Sequence, residues 1–427
     1  MLKNYNSIKS AECFRGLNNL GFSCMKRHAK PAGAVGRKEF FMTKAEILSN
    51  QALDEHILFY HPLGKRPVRT EGENGVPGIR YVSERKGVQI LDYGKAQFNF
   101  RAPDAKKVTV KGWGGSLPQE FELKKEADSD FFSCVGEGIL PGFHYCDFFV
   151  DGVRTVNDLA PIGYGDFRIA NYFEMPCEDS EFWMLQDVPH GDVNFEIYPS
   201  DVTGRMKAAF VYTPAGYDET DERYPVFYVQ HGGGESEPAW VWLGKINYIA
   251  DNLIAQGKMR RMIIVMTTGY AFEDGKIYGM IPGDIDKQIA EELVPFIDRR
   301  YRTIPEKDSR AIAGLSLGSA VAWKTGLGYR KTLFSYLGMF SGGLSRDGRR
   351  GSYDTGDLFD NGEEFNRDLK LLYAAWGSEE PVGVSNMEFI EDVAKNGITI
   401  QHDTFFGWHE WDVWRHAAAR FMQLIFR

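Results

Sequence analysis

Cysteine is scarce in this 427-residue chain: Cys13, Cys24, Cys134, Cys146 and Cys177 form an odd set with no Cys-x-x-Cys pair. That pattern excludes a disulfide-stapled scaffold and a thiolate zinc site, and it favours free thiols in a reducing compartment. One bridge, Cys134 to Cys146 across a hairpin, stays open on sequence grounds. Long apolar runs are missing as well: none approaches the ~18 residues a membrane helix needs. The opening MLKNYNSIKSAECFRGLNNLGFSC has no apolar core of a secretory signal, so the expected location is cytoplasmic. Lysine and arginine number 50 against 59 acidic residues, net −9, with no dense basic stripe. Binding of nucleic acid or anionic membrane through the overall field is therefore not expected. No Walker loop and no Gly-x-Gly-x-x-Gly follow a strand, and HGGGESE lacks the lysine of a phosphate loop. His409, Asp412 and His416 come nearest to a ligand cluster, but their spacing suits a helical face, so no metal and no cofactor are expected. A fixed-period repeat is also absent, which excludes solenoids.

What is present is enough apolar material for a large core, 43% of residues, arranged in two rhythms. Residues 1–85 are hard to read: a basic leader to about Met42, then a short helix in KAEILSNQALDEHILFY and a turn-rich EGENGVPG. From 86 to 176 the period is two. AQFNFRAP, KKVTVKGW, QEFELKKE, DFFSCVGEG and HYCDFFVDG alternate between turns, as an antiparallel β-sandwich requires. From 177 to 427, after a joint at MPCEDSEF, continuous apolar strands alternate with helices: KAAFVYT, PVFYVQ, RMIIVMT, RAIAGL, FSYLGMF, LKLLYAAW and TIQHDTF. Strands apolar on both faces mean a mainly parallel sheet covered by helices, an α/β domain.

Within it, RAIAGLSLGSA places Gly314-Leu315-Ser316-Leu317-Gly318 at a strand-to-helix seam. There a serine takes a strained conformation that lifts its hydroxyl clear, and flanking glycines keep side chains away. The helix from Leu317 aims backbone N–H groups at the same spot. A serine needs a base and an acid, in the order serine, acid, histidine for this fold class. Of the downstream histidines, His402 lies in a strand and His416 inside the last helix. Only His409 follows a loop at the carboxyl end of the final strand. The acid should follow LKLLYAAW, where WGSEEP offers Glu380 first and Glu379 second; Asp403 and Asp412 lie within regular elements. His231-Gly232-Gly233-Gly234, after PVFYVQ, supplies an oxyanion donor from Gly233 or Gly234, with the Leu317 amide as the other. Trp240, Trp408, Trp411 and Trp414 lie near these residues in sequence, and Trp240 and Trp408 are taken as substrate contacts, although tryptophans at helical spacing usually pack in cores.

YPVFYVQHGGG, DNLIAQGKM, ELVPFIDRRYRT, RAIAGLSLGS and GWHEWDVWR together resemble the esterase D-like branch of the α/β hydrolases, above all the feruloyl esterases of carbohydrate esterase family one. The likeness covers about 185–427. FRAPDAKKVTV and YCDFFVDGVRTVNDLAP resemble an early-set, starch-binding-like module. The resemblance implies Ser316 as nucleophile, His409 as base and Glu380 at the acid position, where the family usually carries aspartate after Gly-Thr-Glu. Leu317 and Ser319 replace the family's methionine and glycine. It further implies a serine carboxylesterase acting on hydroxycinnamoyl or acetyl esters of plant cell-wall sugars, a small-molecule or oligosaccharide substrate. Alternatives are acyl transfer, a siderophore or thioester hydrolase of the same fold, and an inert carbohydrate binder, for which Trp113 would be the sandwich's one stacking tryptophan. Homo-oligomerisation is left open.

Overall fold

The computed structural model describes residues 42–50, 65–72, 75–83, 85–112, 120–272, 276, 281, 283–346 and 354–427. The leader, Trp113 and most of the helix expected up to residue 60 lie outside them. Before the sandwich, helix Lys44–Leu48 is closed by a capping box in which Thr43 and Glu46 satisfy each other's amides. It docks on the α/β half: Ile47 is buried in its core, and Asn50 donates to the Leu185 carbonyl at 2.8 Å. An antiparallel hairpin follows, β1 (Lys65–Glu71) and β2 (Pro77–Ser83).

Nine strands then run antiparallel: β3 (Val88–Asp92), β4 (Lys95–Arg101), β5 (Val108–Gly112), β6 (Glu120–Lys125), β7 (Phe131–Glu137), β8 (Gly142–Val150), β9 (Val153–Thr155), β10 (Ile162–Gly165) and β11 (Arg168–Met175). Their order is β10-β11-β8-β5-β6-β7-β4-β3, with β9 beside β8. Strand β6 pairs with β5 up to Leu123 and with β7 through Lys124 and Lys125, so it folds the sheet over on itself. Inward residues of the two halves meet: Phe98 lies edge-on to Phe173 at 5.5 Å, and Phe100 is 5.4 Å from Phe148. Cys134 on β7 and Cys146 on β8 are free thiols, as is Cys177.

The second sheet comprises β12 (Asp192–Ser200), β13 (Arg205–Thr213), β14 (Val226–Gln230), β15 (Ile263–Thr267), β16 (Arg310–Leu315), β17 (Tyr336–Phe340), β18 (Leu371–Gly377) and β19 (Gln401–Phe405). It is ordered β12-β13-β15-β14-β16-β17-β18-β19. The first three are antiparallel neighbours and the rest are parallel. Every residue of β14 to β17 is buried, because helices cover both faces. The architecture is an α/β-hydrolase domain preceded by an antiparallel one. Strand β14 lies between β15 and β16, so the chain leaves it to one side and returns on the other. Loops diverge at such a switch point and leave a crevice at the carboxyl ends of the strands.

Polar contacts are among those that join the halves. Glu174 of β11 is buried between Lys245 (2.5 Å) and Arg415, and both cations lie over the Trp183 ring. Burial pushes the Glu174 carboxyl up, but Arg415 and Lys245 together outweigh it and hold it below its ordinary value. The β10–β11 turn also reaches the glycine loop after β14, where Phe167 N donates to Gly234 O at 3.1 Å. Among the described residues no helix is long and apolar enough to cross a membrane.

Candidate active site

Ser316 sits between β16 and helix Leu317–Gly328 with φ 53° and ψ −117°. A non-glycine residue pays a conformational penalty there, and only the surrounding packing maintains it. The flanking glycines explain that packing. A Cβ on Gly314 would lie 2.2 Å from the Gly318 carbonyl oxygen, and one on Gly318 would lie 2.3 Å from the His231 carbonyl oxygen. Strand, elbow and glycine loop therefore touch backbone to backbone. Ser319, the departure noted in sequence, donates its hydroxyl to the Ser316 carbonyl at 2.5 Å and leaves the elbow intact.

His409 meets the serine. Its Nε2 lies 2.8 Å from Ser316 Oγ, and its Nδ1 lies 2.6 Å from Glu380 Oε1. A carboxylate at Nδ1 fixes the ring so that Nε2 can accept the serine proton. The other oxygen of Glu380 accepts from the Gly377 amide and the Ser341 hydroxyl, each at 2.6 Å. Ser341 Oγ accepts in turn from Trp414 Nε1 at 2.9 Å, and the Trp414 ring stands edge-on to His409. Glu380 is only 8% exposed, so these bonds hold the longer glutamate arm in one rotamer. Glu379 is exposed, and its carboxylate accepts from the Ser378 hydroxyl at 3.0 Å. Asp403 faces Tyr373 and Arg420, His402 stacks on Trp376, and His416 packs between Phe182 and Phe405.

The glycine loop is pinned at both ends. His231, buried, contacts the Gly232 carbonyl through Nδ1 at 2.8 Å, and its Nε2 accepts the Gly269 N–H at 2.9 Å. That pairing fixes a neutral tautomer, and burial holds its pKa down to about 4. The Gly232 amide donates to Glu235 Oε2 at 2.9 Å, and the Gly234 amide donates to the Tyr270 hydroxyl at 2.8 Å. Gly234, expected as an alternative oxyanion donor, is thus already committed. Among the described residues the amides of Gly233 and Leu317 have no partner. The two residues are adjacent: a Cβ on Gly233 would lie 3.8 Å from the Leu317 Cβ.

Ser316 and His409 open on a cavity of about 450 Å³. Trp411 and Trp414 line it, with Glu410 and Glu235. The opposite wall comes from the antiparallel domain: Phe143 and Tyr145 of β8 and Gly165 and Asp166 of the β10–β11 turn. The two tryptophans expected to touch substrate do not line it. Trp240 is fully buried, donates to the Gln230 carbonyl at 2.9 Å and stands edge-on behind Trp411. Trp408 is half-buried, packs edge-on against Phe406 and is not among the residues that line the cavity. Trp240 is carried into the α/β core by its short helix, Ala239–Trp242, and Trp408 packs on its loop neighbour Phe406.

A family model named Esterase ("Putative esterase") matches residues 200–422, just over half of the chain. The chain belongs to this esterase family. One curated relative, an endo-1,4-beta-xylanase/feruloyl esterase of Xylanibacter ruminicola, is 32% identical over 373 residues, 84% of this chain. This esterase-family chain spans 48% of that relative's length. Its fold is shared by a CE1 ferulic acid esterase from Anaeromyces mucronatus: TM-score 0.50, 22% identity, 58% of this chain and 96% of that one. The enterobactin esterase FES from Shigella flexneri matches with TM-score 0.56 and 16% identity, over 79% of this chain and 94% of that one.

Some lining residues of this esterase-family site escaped sequence reading. Glu235 carried a signal, standing directly after the glycine triplet, and Glu410 follows His409. Phe143, Tyr145 and Asp166 carried none, because they belong to the other domain and arrive only by docking.

Proposed function

We propose that the protein is a serine carboxylesterase working through an acyl-enzyme. The observation that carries this reading is the 2.8 Å contact of His409 Nε2 with Ser316 Oγ, continued at 2.6 Å to Glu380. His409 takes the Ser316 proton as Oγ attacks the ester carbonyl, and Glu380 stabilises the imidazolium. The Gly233 and Leu317 amides hold the tetrahedral oxyanion, each such donor being worth about 3 kcal/mol of transition-state stabilisation. His409 then protonates the leaving alcohol, and water repeats the sequence to free the acid.

The substrate class we assign is hydroxycinnamoyl, principally feruloyl, or acetyl esters on plant cell-wall sugars. The name and the 84% coverage of the X. ruminicola relative support it, and so does an aromatic cavity wall of Phe143, Tyr145, Trp411 and Trp414 suited to a planar acyl group. Asp166 and Glu410 line the same space, and no lysine or arginine does among the described residues. That lining suits a neutral ester and opposes an anionic one. Purified protein should hydrolyse p-nitrophenyl acetate and methyl ferulate, and Ser316→Ala should lower kcat by about 10⁴ or more. Turnover that survives this substitution, or none by the wild type on any ester, would remove the reading.

A further inference from the structure

Glu235 lines the cavity beside Ser316 yet takes no part in the proton relay. It is 7% exposed, and among the described residues no lysine or arginine pairs with it. Its Oε2 accepts the Gly232 N–H, closing a ring across the turn that presents the Gly233 amide. A Cβ placed on Gly232 would lie 3.3 Å from that oxygen and 3.5 Å from Ser316 Cβ. The carboxyl therefore stands close to both the Gly232 backbone and the nucleophile. A fixed anion there would oppose the charge that develops on the tetrahedral oxygen, and in a water-poor site that opposition is strong. An uncharged acid holds the same amide without it.

We propose that Glu235 is a positioning residue of this site: an uncharged acid that braces the Gly232–Gly233 turn so that the Gly233 amide meets the oxyanion, and whose loss of a proton disables the site. This rests on the esterase reading above. Burial pushes the Glu235 carboxyl up to about 8, against smaller downward pulls from the Gly232 amide and the Trp411 indole. The groups facing it are Tyr145 from β8, Tyr270 after β15 and Trp411 on the closing helix, with Asp166, His409 and Glu410 on the same cavity. None of them is an ammonium or guanidinium that would pull the proton off. Lys207 is also held down to about 8, by burial, but it donates to the Tyr270 carbonyl and lines a separate cavity. An alkaline loss of activity alone would not distinguish the two, so the variants must.

The test is p-nitrophenyl acetate hydrolysis by the full-length wild type, E235Q and E235A from about pH 6 to about pH 9. It is joined to infrared difference spectra of wild type against E235Q, which read the protonated-carboxyl stretch without turnover. Wild-type kcat/KM is expected to fall as pH rises through about 8, with that stretch vanishing over the same range. E235Q, whose amide oxygen accepts the same Gly232 N–H, should lack this limb. E235A should lose kcat about tenfold or more at neutral pH with little change in KM, because the donor is displaced and the binding walls are not; E235Q should recover most of that loss. An alkaline limb shared by E235Q, an ionised Glu235 at neutral pH, or an unchanged kcat in E235A overturns the brace while leaving the esterase reading in place. A wild type that hydrolyses no ester, with the stretch still titrating near 8, overturns the esterase reading and the brace's role with it.

Discussion

Glu380 stands where a shorter acid is usual, and its neighbours show how the extra methylene is accommodated. One oxygen reaches His409, while the other is fixed by the Gly377 amide and the Ser341 hydroxyl, itself tied to Trp414. A buried carboxylate with three donors is both satisfied and immobile. Glu380→Gln keeps the volume but removes the charge and allows the wrong histidine tautomer, so kcat should drop by about 10⁴ with KM little altered. Glu379→Gln, on an exposed side chain one residue away, should leave both constants within about twofold. Steady-state kinetics on methyl ferulate checks the pair. Equal losses in both variants would mean that the acid has been misassigned.

At the scale of the element, the strand–elbow–helix unit works because backbone contacts backbone. The positive φ of Ser316 is held by the Ser316 amide bonded to the Phe340 carbonyl at 2.9 Å and by the Ser319 amide and hydroxyl on the Ser316 carbonyl. The helix start is pressed against the end of β14, where any Cβ at Gly318 meets the His231 carbonyl oxygen. Gly318→Ala must push the glycine loop away from the elbow, since the obstructing atom is backbone and cannot rotate aside. We expect a stability loss of about 2 kcal/mol or more, read as a lower urea midpoint with unchanged slope. The fall in kcat should exceed what instability explains, because the Gly233 amide moves with the loop.

At the scale of the molecule, the cavity belongs to neither domain alone. Phe143, Tyr145 and Asp166 reach the serine only because the antiparallel domain is held against the α/β domain. The buried Glu174–Lys245–Arg415 group is the charged part of that attachment. Glu174→Ala strands two buried cations and should cost about 3–5 kcal/mol in urea unfolding. If the attachment orients the wall, KM for methyl ferulate should rise in this variant more than KM for p-nitrophenyl acetate, whose small acyl group needs less of the wall. Matching changes for both substrates would show that the group serves stability only.

The order of strands and helices in the α/β half, the elbow serine, the one histidine placed after a closing strand and the glycine loop were all legible in the chain. Each is a local pattern: a period of two or 3.6, or a turn that only glycine permits. Strand β12, the docking of residues 42–50 and the committed state of the Gly234 amide were not legible, because partners from distant segments decide them. The same holds for the tryptophans, where sequence neighbourhood pointed to Trp240 and Trp408 and packing put Trp411 and Trp414 at the cavity. The sequence alone determined which residues are candidates for the chemistry, since a serine at a tight turn, a histidine after a closing strand and a loop carboxylate are written in residue types. Only the tertiary structure decided what surrounds them, because walls, burial and unpaired amides arise from long-range contacts that no local pattern encodes.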